Sequence, residues 1–484
     1  MEVSLAQTTL DVPATGTPPP AAASKRKYPW YVIRPCESER VRHFLEAFAA
    51  ILKYSNYKPA LDQYSRSSMK CSSCTTNCPV YATTHDPRDI PCYRSGLLLK
   101  TYRRHFTVGG WFAAKVSGDP GLTEADIDEM ADVFYRCTAC KRCTLECPLG
   151  IDHGLLTHLG RWILSELRIV PKGLEISVIE QLHGETGNTS AIPAHALKDT
   201  LEFLEEELLE MFGIPMHYPV DEPDREFVFF PAVSDYLLEP ETLMGNLAVI
   251  HAAGDADHWT IGTGYFDGIN YGLFYSDHVL ERTIQKLVGE VARLEGKKAL
   301  IGECGHASRS AREFVPVFGG DLTVPVVNIM EYTLRQLEAG KIVLDPNIIT
   351  GKVTYHDPCN IARSGWIIDQ PRKIIRAFCP NFVEMEPHGR NNLCCGGGGG
   401  TVSVDEIHEF RMSVAGRMKA DQMRATGAEY VIAPCANCKK QLKELIEYHK
   451  LDTKLVGLHD LILKAIVIPG AKSPAERAAA ERGE

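Results

Sequence analysis

A chain of 484 residues with 44% hydrophobic and 24% charged content is ordinarily globular and long enough for two or three domains. Its net charge of −10 and isoelectric point near 6.0 leave no basic excess for neutralising phosphates, which excludes a nucleic-acid partner. No stretch approaches the ~20 consecutive apolar residues of a membrane helix. The longest runs, Leu247–Ala253 and Leu461–Val467, are short and carry polar residues, so docking on a membrane component is the most that is expected.

The N-terminus does not read as an export signal. Residues 1–24 lack a basic start followed by an apolar block, and they end in Pro18–Pro20 and Ala21–Ala23, as a disordered lead-in would. Sixteen cysteines in a chain without an export signal argue against a disulfide framework, and their clustering points to metal.

Residues 1–60 are read as this tail with an N-terminal extension, and 61–170 as a helical domain with patterns such as Leu155–Ile169. Residues 171–225 start helix-like at Leu201–Met211 and then break at Pro215, Pro219 and Pro223, as a linker would. From 226 onward, β-type runs alternate with amphipathic helices, before a C-terminal tail at 466–484. The runs are Phe227–Phe230, Lys298–Ile301, Val353–Tyr355 and Tyr430–Ile432; the helices are His278–Leu294, Pro371–Phe378 and His408–Ala425. This alternation predicts α/β units with a mainly parallel sheet.

A weak internal repeat divides this block into halves at 226–350 and 351–465. Ala299–Cys304 matches Tyr430–Cys435 as strand then cysteine loop, and Phe229–Pro231 resembles Tyr355–Pro358. Thr260–Gly264 is expected where Cys394–Gly396 stands in the second half. The predicted fold class is therefore an α-helical ferredoxin domain plus an α/β domain of two pseudo-symmetric halves, only the second keeping its cysteines.

Cys137, Cys140, Cys143 and Cys147–Pro148 form a complete bacterial ferredoxin run, with Cys71, Cys74 and Cys78–Pro79 as its upstream partner. Zinc sites use two separated pairs rather than such a ladder. Crossed ligation gives one cluster from Cys78, Cys137, Cys140 and Cys143, and a second from Cys71, Cys74 and Cys147. Ser68 stands where the ladder's first cysteine is expected. Cys92 fills that place, or Ser68 ligates through oxygen, or the cluster is a [3Fe–4S] form; Cys92 is preferred, although it also fits a small buried hydrophobe. Two [4Fe–4S] clusters, one of them open to that three-iron alternative, are expected here. Arg94, Lys100, Arg103 and Arg104 between the motifs are expected to raise cluster potentials, or to be a solvated face.

The second set is Cys359, Cys394–Cys395–Gly396, Cys435 and Cys438. Adjacent cysteines rarely serve one ordinary cubane, so five thiolates at this spacing suit an unusual iron site with room for substrate sulfur. Glycines 396–400 allow close backbone approach, and no Gly-Lys-Ser/Thr follows them to mark a phosphate loop. Cys304, at a strand end, is a further ligand or a pendant thiolate, with a buried thiol as the plain alternative. His306 and His356 are candidate proton donors, or structural. Lys439 and Lys440 are expected to meet cluster charge or an acidic partner. Cys36 and Cys379 stay unassigned.

The segments Glu303–Ala307, His356–Arg363 and Cys394–Gly400, with two ferredoxin motifs upstream, resemble catalytic subunits of heterodisulfide reductases. The closer resemblance is to the DsrK-type subunit of the membrane complex of dissimilatory sulfur metabolism (DsrMKJOP), across roughly residues 60–465. The resemblance implies a noncanonical [4Fe–4S] cluster held in this cysteine-rich (CCG) domain. It implies a cytoplasmic subunit, peripheral on the inner face of the membrane, docked on a haem-b partner (DsrM-like) that exchanges electrons with quinone. It also implies a DsrC-like small protein as substrate, its sulfur carried as disulfide or trisulfide. Two alternatives remain: an electron-transfer subunit of a 2-hydroxy-acid (glycolate or lactate) oxidase or other quinone-linked dehydrogenase, and a structural metal scaffold.

Overall fold

A computed structural model of the protein describes residues 31–32 and 39–482, apart from 70, 185 and 322. The lead-in at 1–24 and Cys36 lie outside these residues. The chain divides into two compact units: residues up to 176 with 274–277 and 398–415, and the remainder.

The first unit is helical. Its helices are α1 (Arg40–Tyr54), α2 (Tyr57–Ser67), α3 (Pro79–Thr84), α4 (Pro91–Phe106), α5 (Val108–Ser117), α6 (Glu124–Tyr135) and α7 (His153–Glu166). Each start has a local cause. Proline opens α3 and α4, where a missing N–H costs nothing, and Thr123 with Asp126 forms a capping box on α6. Asp152 accepts from the amides of Gly154 and Leu155 at the start of α7.

The unit begins well before residue 61. Phe44 and Phe48 of α1 are fully buried, and Arg40 pairs with Glu124 and Asp128 of α6. It also takes in residues 398–415, far downstream in sequence. There Gly399 accepts a 2.7 Å hydrogen bond from buried Arg161, whose other nitrogen donates to the Cys137 carbonyl at 2.6 Å. The helix expected over His408–Ala425 is broken at Gly416, so that 411–415 belongs here and Arg417–Thr426 to the second unit.

The second unit is α/β. One parallel sheet holds β1 (Phe227–Phe230), β2 (Trp259–Ile261), β3 (Lys298–Ile301) and β4 (Val326–Asn328) in the order β2-β1-β3-β4. After the short β5 (Val343–Leu344) comes a second parallel sheet: β6 (Val353–Tyr355), β7 (Phe382–Val383), β8 (Tyr430–Ile432) and β9 (Lys454–Val456), ordered β7-β6-β8-β9. Counted within each sheet, both orders are second, first, third, fourth. A final β10 (Ile466–Val467) pairs antiparallel with β5, Ile466 against Leu344 and Val467 against Val343.

The 171–225 segment is more than a linker. Helix α8 (Ala194–Phe212) places Leu197, Leu201, Leu204, Leu208 and Phe212 in the apolar core, a stripe at helical period. The C-terminal segment is likewise packed: Arg477 of the helix Pro474–Arg482 is buried and donates to the Ile466 carbonyl at 2.8 Å.

The remaining helices are α9 (Pro240–Ala252), α10 (Asp277–Arg293), α11 (Gly305–Phe318), α12 (Ile329–Glu338), α13 (Cys359–Ala362), α14 (Asp369–Phe378), α15 (Arg417–Thr426), α16 (Ala436–His449) and α17 (Leu458–Ala465). Between the sheets they contact reciprocally. α9 packs on α17 as α12 packs on α14, and α11 packs on α13 as the turn of helix at Val233–Leu237 packs on α16. One expected correspondence fails. Thr260 lies within β2 itself, whereas Cys394 and Cys395 come in the loop after β7, so Thr260–Gly264 does not hold the same place in its sheet.

Candidate metal centres

Three groups of thiols emerge, and the described cysteines carry no disulfide. Centre A is a cavity lined by Cys78, Cys137, Cys140 and Cys143, together with Arg94 and His153. The ladder can close on itself because Ala139 and Lys141, between successive cysteines, take left-handed φ of 50° and 58°. Alternation of this kind turns backbone N–H groups inward, as in anion-binding nests. Burial, then Cys140 and Cys78, pushes the Cys143 thiol well above its usual value. Arg94 opposes this; it is itself buried, with Nη2 3.7 Å from Cys137 Sγ.

Centre B is lined by Cys71, Cys74, Cys92 and Cys147, with Ser68 at its edge. The structure thus brings Cys92 to the place the upstream ladder lacks. Cys92 sits at the start of α4 and hydrogen-bonds Cys74, which pushes the Cys74 thiol up and lowers that of Cys92. Ser72, between Cys71 and Ser73, adopts φ 59°, repeating the ladder geometry of centre A. His153 lines both cavities, its Nδ1 2.8 Å from Ser95 Oγ and its buried Nε2 without a partner. Only its histidine identity, four residues before Thr157 on an apolar helix, hinted at this in the sequence. Of the four cations expected here, Arg94 reaches a centre, whereas Lys100, Arg103 and Arg104 line a separate cleft beside Cys92.

Centre C is in the α/β unit. Cys304 caps α11, Cys359 opens α13, Cys394 and Cys395 occupy the loop after β7, and Cys435 and Cys438 begin α16. All six are buried. Cys395 Sγ lies 3.5 Å from Cys438 Sγ, and with His356 they place three potential ligand atoms within 4.8 Å of one another. Gly396 (φ 96°) and Gly397 donate backbone N–H bonds to Cys394 Sγ and Cys395 Sγ at 3.3 and 3.4 Å. A Cβ on Gly397 would stand 2.8 Å from that of Gln441, so this approach requires glycine.

Two histidines address the thiols from opposite sheets. His356 places a ring nitrogen within 4.8 Å of Cys395 Sγ and Cys438 Sγ, and His306 hydrogen-bonds Cys435. Hydrogen bonds from Cys394 first, then Cys438, hold the Cys395 thiol well below its usual range; Cys438, sharing protons with Cys395 and Cys435, is pushed up. Cys304 is raised by burial and next by Cys435, so these two strand-end cysteines face one another electrostatically.

Buried ion pairs hold the loops. Asp357 takes a bidentate contact from Arg372 at 2.8 Å on each oxygen, and Arg372 also reaches Glu384 at 2.8 Å. Asp357 accepts the Gly389 amide at 2.7 Å, and Arg363 donates to the Asn392 carbonyl at 2.7 Å, two residues before Cys394. On the other side Glu303 accepts from the His459 amide at 2.8 Å and ring at 2.6 Å.

Lys439 departs from expectation. It is buried, hydrogen-bonded to Thr242, and 3.8 and 3.9 Å from Glu303 and Asp235; it meets internal carboxylates, not a partner's surface. Burial pulls its amine down, but Asp460, Asp235 and Glu303 push it up. Lys440 beside it is exposed. A lysine that the sequence did not single out, Lys419, is buried near Asp357, Cys395 and Cys394, and burial pushes it down to about 8. Cys379 lies in the apolar core, its thiol raised by burial alone to about 12.

The donor sets fit iron–sulfur groups. Four cysteines line each of centres A and B, the ligand number that a [4Fe–4S] cluster takes. Residues 69–151 match the family model for a 4Fe-4S dicluster domain, and residues 353–443 that for a cysteine-rich domain, CCG. The Hdr-like menaquinol oxidoreductase iron-sulfur subunit 2 of Archaeoglobus fulgidus is 28% identical, covering 91% of this chain and 86% of the relative. A component of the dihydromethanophenazine:CoB–CoM heterodisulfide reductase of Methanosarcina barkeri is 21% identical over 82% of this chain and 93% of its own. The EtfAB:quinone oxidoreductase of Syntrophomonas wolfei is 22% identical over 83% of this chain and 58% of its own. With a dicluster domain, a CCG domain and relatives matched over most of their length, the chain is similar to the iron–sulfur subunits of heterodisulfide reductase-like oxidoreductases.

Proposed function

We propose that this subunit moves electrons between a membrane haem-b and quinone partner (DsrM-like) and the S–S bond of a DsrC-like sulfur-carrier protein, in dissimilatory sulfur metabolism. The observation that carries the proposal is the surplus of thiols at centre C. Five buried cysteines from three loops, Cys304, Cys394, Cys395, Cys435 and Cys438, are linked to one another by hydrogen bonds or charge, with Cys359 buried in the same unit, where an ordinary cubane takes four. In this assignment Cys78, Cys137, Cys140 and Cys143 ligate one relay cluster, and Cys71, Cys74, Cys92 and Cys147 the other. Cys359, Cys394, Cys395, Cys435 and Cys438 build the noncanonical cluster, and Cys304 serves it as ligand or as a thiol facing substrate.

The net reaction takes a disulfide, two electrons and two protons to two thiols, the electrons coming from quinol through the haem partner. Bound clusters supply one-electron storage and an iron site for sulfur. The chain's residues do the rest. His306, hydrogen-bonded to Cys435, and His356, within 4.8 Å of Cys395, hold protons beside the thiols where a leaving thiolate needs one. Lys419 sets a buried amine near the Cys394–Cys395 loop to balance added negative charge.

Two pseudo-symmetric halves related by a twofold axis frame this site. The matching strand orders, the reciprocal helix contacts and the antiparallel β5–β10 register support that relationship. The subunit is placed on the inner face of the cytoplasmic membrane by its partner; no helix of the described residues is long and apolar enough to cross a membrane.

Similarity to the EtfAB:quinone oxidoreductase supports a second reading, in which centre C only passes electrons onward. Stopped-flow reduction separates the two. The holoprotein, chemically reduced, is mixed with a DsrC-like disulfide and with its single-cysteine variant. Oxidation of the clusters by the disulfide alone supports S–S chemistry. No oxidation by the disulfide, with rapid oxidation by a quinone analogue, leaves the relay.

A further inference from the structure

Helix α5 inverts the usual amphipathic arrangement. A helix on a globular surface normally buries its bulky apolar side chains. Here small residues face α4: a Cβ on Gly110 would stand 1.9 Å from the Arg103 carbonyl, and Ala114 is buried. The bulky residues Val108, Trp111, Phe112 and Val116 are instead 86%, 46%, 64% and 80% exposed. Behind them, between α4 and α5, runs a cleft of about 740 Å³ whose lining includes Lys100, Arg103, Arg104 and Cys92, with Asp119 as its one carboxylate among the lining residues.

We propose that α5 is an interfacial helix that lies flat on an anionic lipid bilayer. This goes beyond docking through a membrane subunit, because it assigns the contact to lipid itself. Length fits: ten residues at 1.5 Å each give about 15 Å, too short to span and sufficient to lie in the headgroup region. Charge decides between lipid and protein. Lys115 stands in the middle of the apolar arc, its ammonium 4.1 Å from the Trp111 ring centroid. The core of a protein interface is depleted in lysine. A bilayer surface accommodates one, since the stem lies along apolar surface while the ammonium reaches headgroup phosphates. Tryptophan beside lysine is also the pairing found at membrane interfaces. Seated in this way, the helix holds the basic cleft and Cys92 of centre B next to the membrane.

Vesicle flotation of the full-length, cluster-loaded chain without any partner tests the proposal. Binding to vesicles of phosphatidylglycerol and phosphatidylcholine is expected, with binding to pure phosphatidylcholine weaker by about tenfold or more. Brominated acyl chains should quench fluorescence in the wild type and lose that effect in Trp111→Phe. The double variant Trp111→Ser, Phe112→Ser should lose at least about tenfold in vesicle affinity while keeping its helical circular dichroism and iron content. Absence of binding to either vesicle overturns the proposal, as does binding that the double variant leaves unchanged. Capture of a detergent-solubilised haem-b protein through α5, without vesicle binding, would hand the face to a protein partner. None of these outcomes bears on S–S reduction in solution, so this proposal and the functional one fail separately.

Discussion

Arg94 donates toward Cys137 Sγ at 3.7 Å while its other terminal nitrogen holds the Asp89 carbonyl at 2.7 Å. A buried guanidinium so placed stabilises the more negative, reduced form of a cluster at centre A. Arg94→Gln is therefore expected to lower that cluster's potential by about 60 mV, a tenfold change in a one-electron equilibrium. Arg94→Lys, which keeps the charge, should recover most of the shift. Potentiometric titration followed by electron paramagnetic resonance measures both. Equal potentials in all three proteins would show that Arg94 acts on packing alone.

Cys92 completes the ring of thiols at centre B with Cys71, Cys74 and Cys147. Cys92→Ser should remove roughly one iron per chain and convert one four-iron signature into a three-iron one. Mössbauer spectra and iron analysis report this. Unchanged spectra would return the fourth position to Ser68 or to a three-iron cluster in the wild type.

Cys394 and Cys395 are adjacent, and each accepts a backbone N–H bond from its own loop. Groups that work as a unit lose function non-additively. Cys394→Ala, Cys395→Ala and the double variant should each reduce S–S cleavage by at least about 100-fold and to a similar extent. The resonance signals of centres A and B should persist in all three. A Cys394→Ala protein that still cleaves the partner's S–S bond near the wild-type rate would leave centre C as a passive relay.

Asp357 and Arg372 are almost fully buried, at 1% and 6% side-chain exposure. Arg372→Met leaves buried Asp357 without its cation, while Glu384 keeps Arg376 at 3.5 Å, and should cost about 3–5 kcal/mol in the α/β unit. Denaturant titration of the variant checks the figure. Centre C should load poorly in it, because the 389–394 loop hangs on Asp357 through the Gly389 amide.

Much of this was legible from spacing. The Cys137–Cys147 ladder and the Cys–Cys–Gly loop announce their chemistry because metal ligation fixes sequence distance. The four predicted strands are present for the same local reason, short apolar runs before cysteine loops or prolines. What escaped was non-local. Cys92 could be ranked only by elimination, since its partners lie 18 to 55 residues away. Lys439 was expected to meet cluster charge or an acidic partner because Asp235, Glu303 and Thr242, which it meets, are more than 130 residues away in sequence. The helix-like run at Leu201–Met211 was read as part of a linker because of the prolines that follow it, although its leucines keep the period of a packed helix. Replacing Leu204 with Ala should cost about 2–5 kcal/mol, whereas a true linker would tolerate the change within about 0.5 kcal/mol.

The assignment of residues 398–415 to the helical unit has a consequence for biosynthesis. The chain leaves or re-enters that unit after residues 176, 273, 277, 397 and 415, so neither unit is one contiguous stretch. Domains of a nascent chain usually fold in order as they emerge from the ribosome. Here Ala415 packs with Cys78 and Val80, and the Gly399 carbonyl caps Arg161 beneath Cys137. The walls around centre A therefore cannot be complete until translation has passed residue 415. A truncation anywhere between 177 and 415 forfeits the packing of the helical unit as well as centre C.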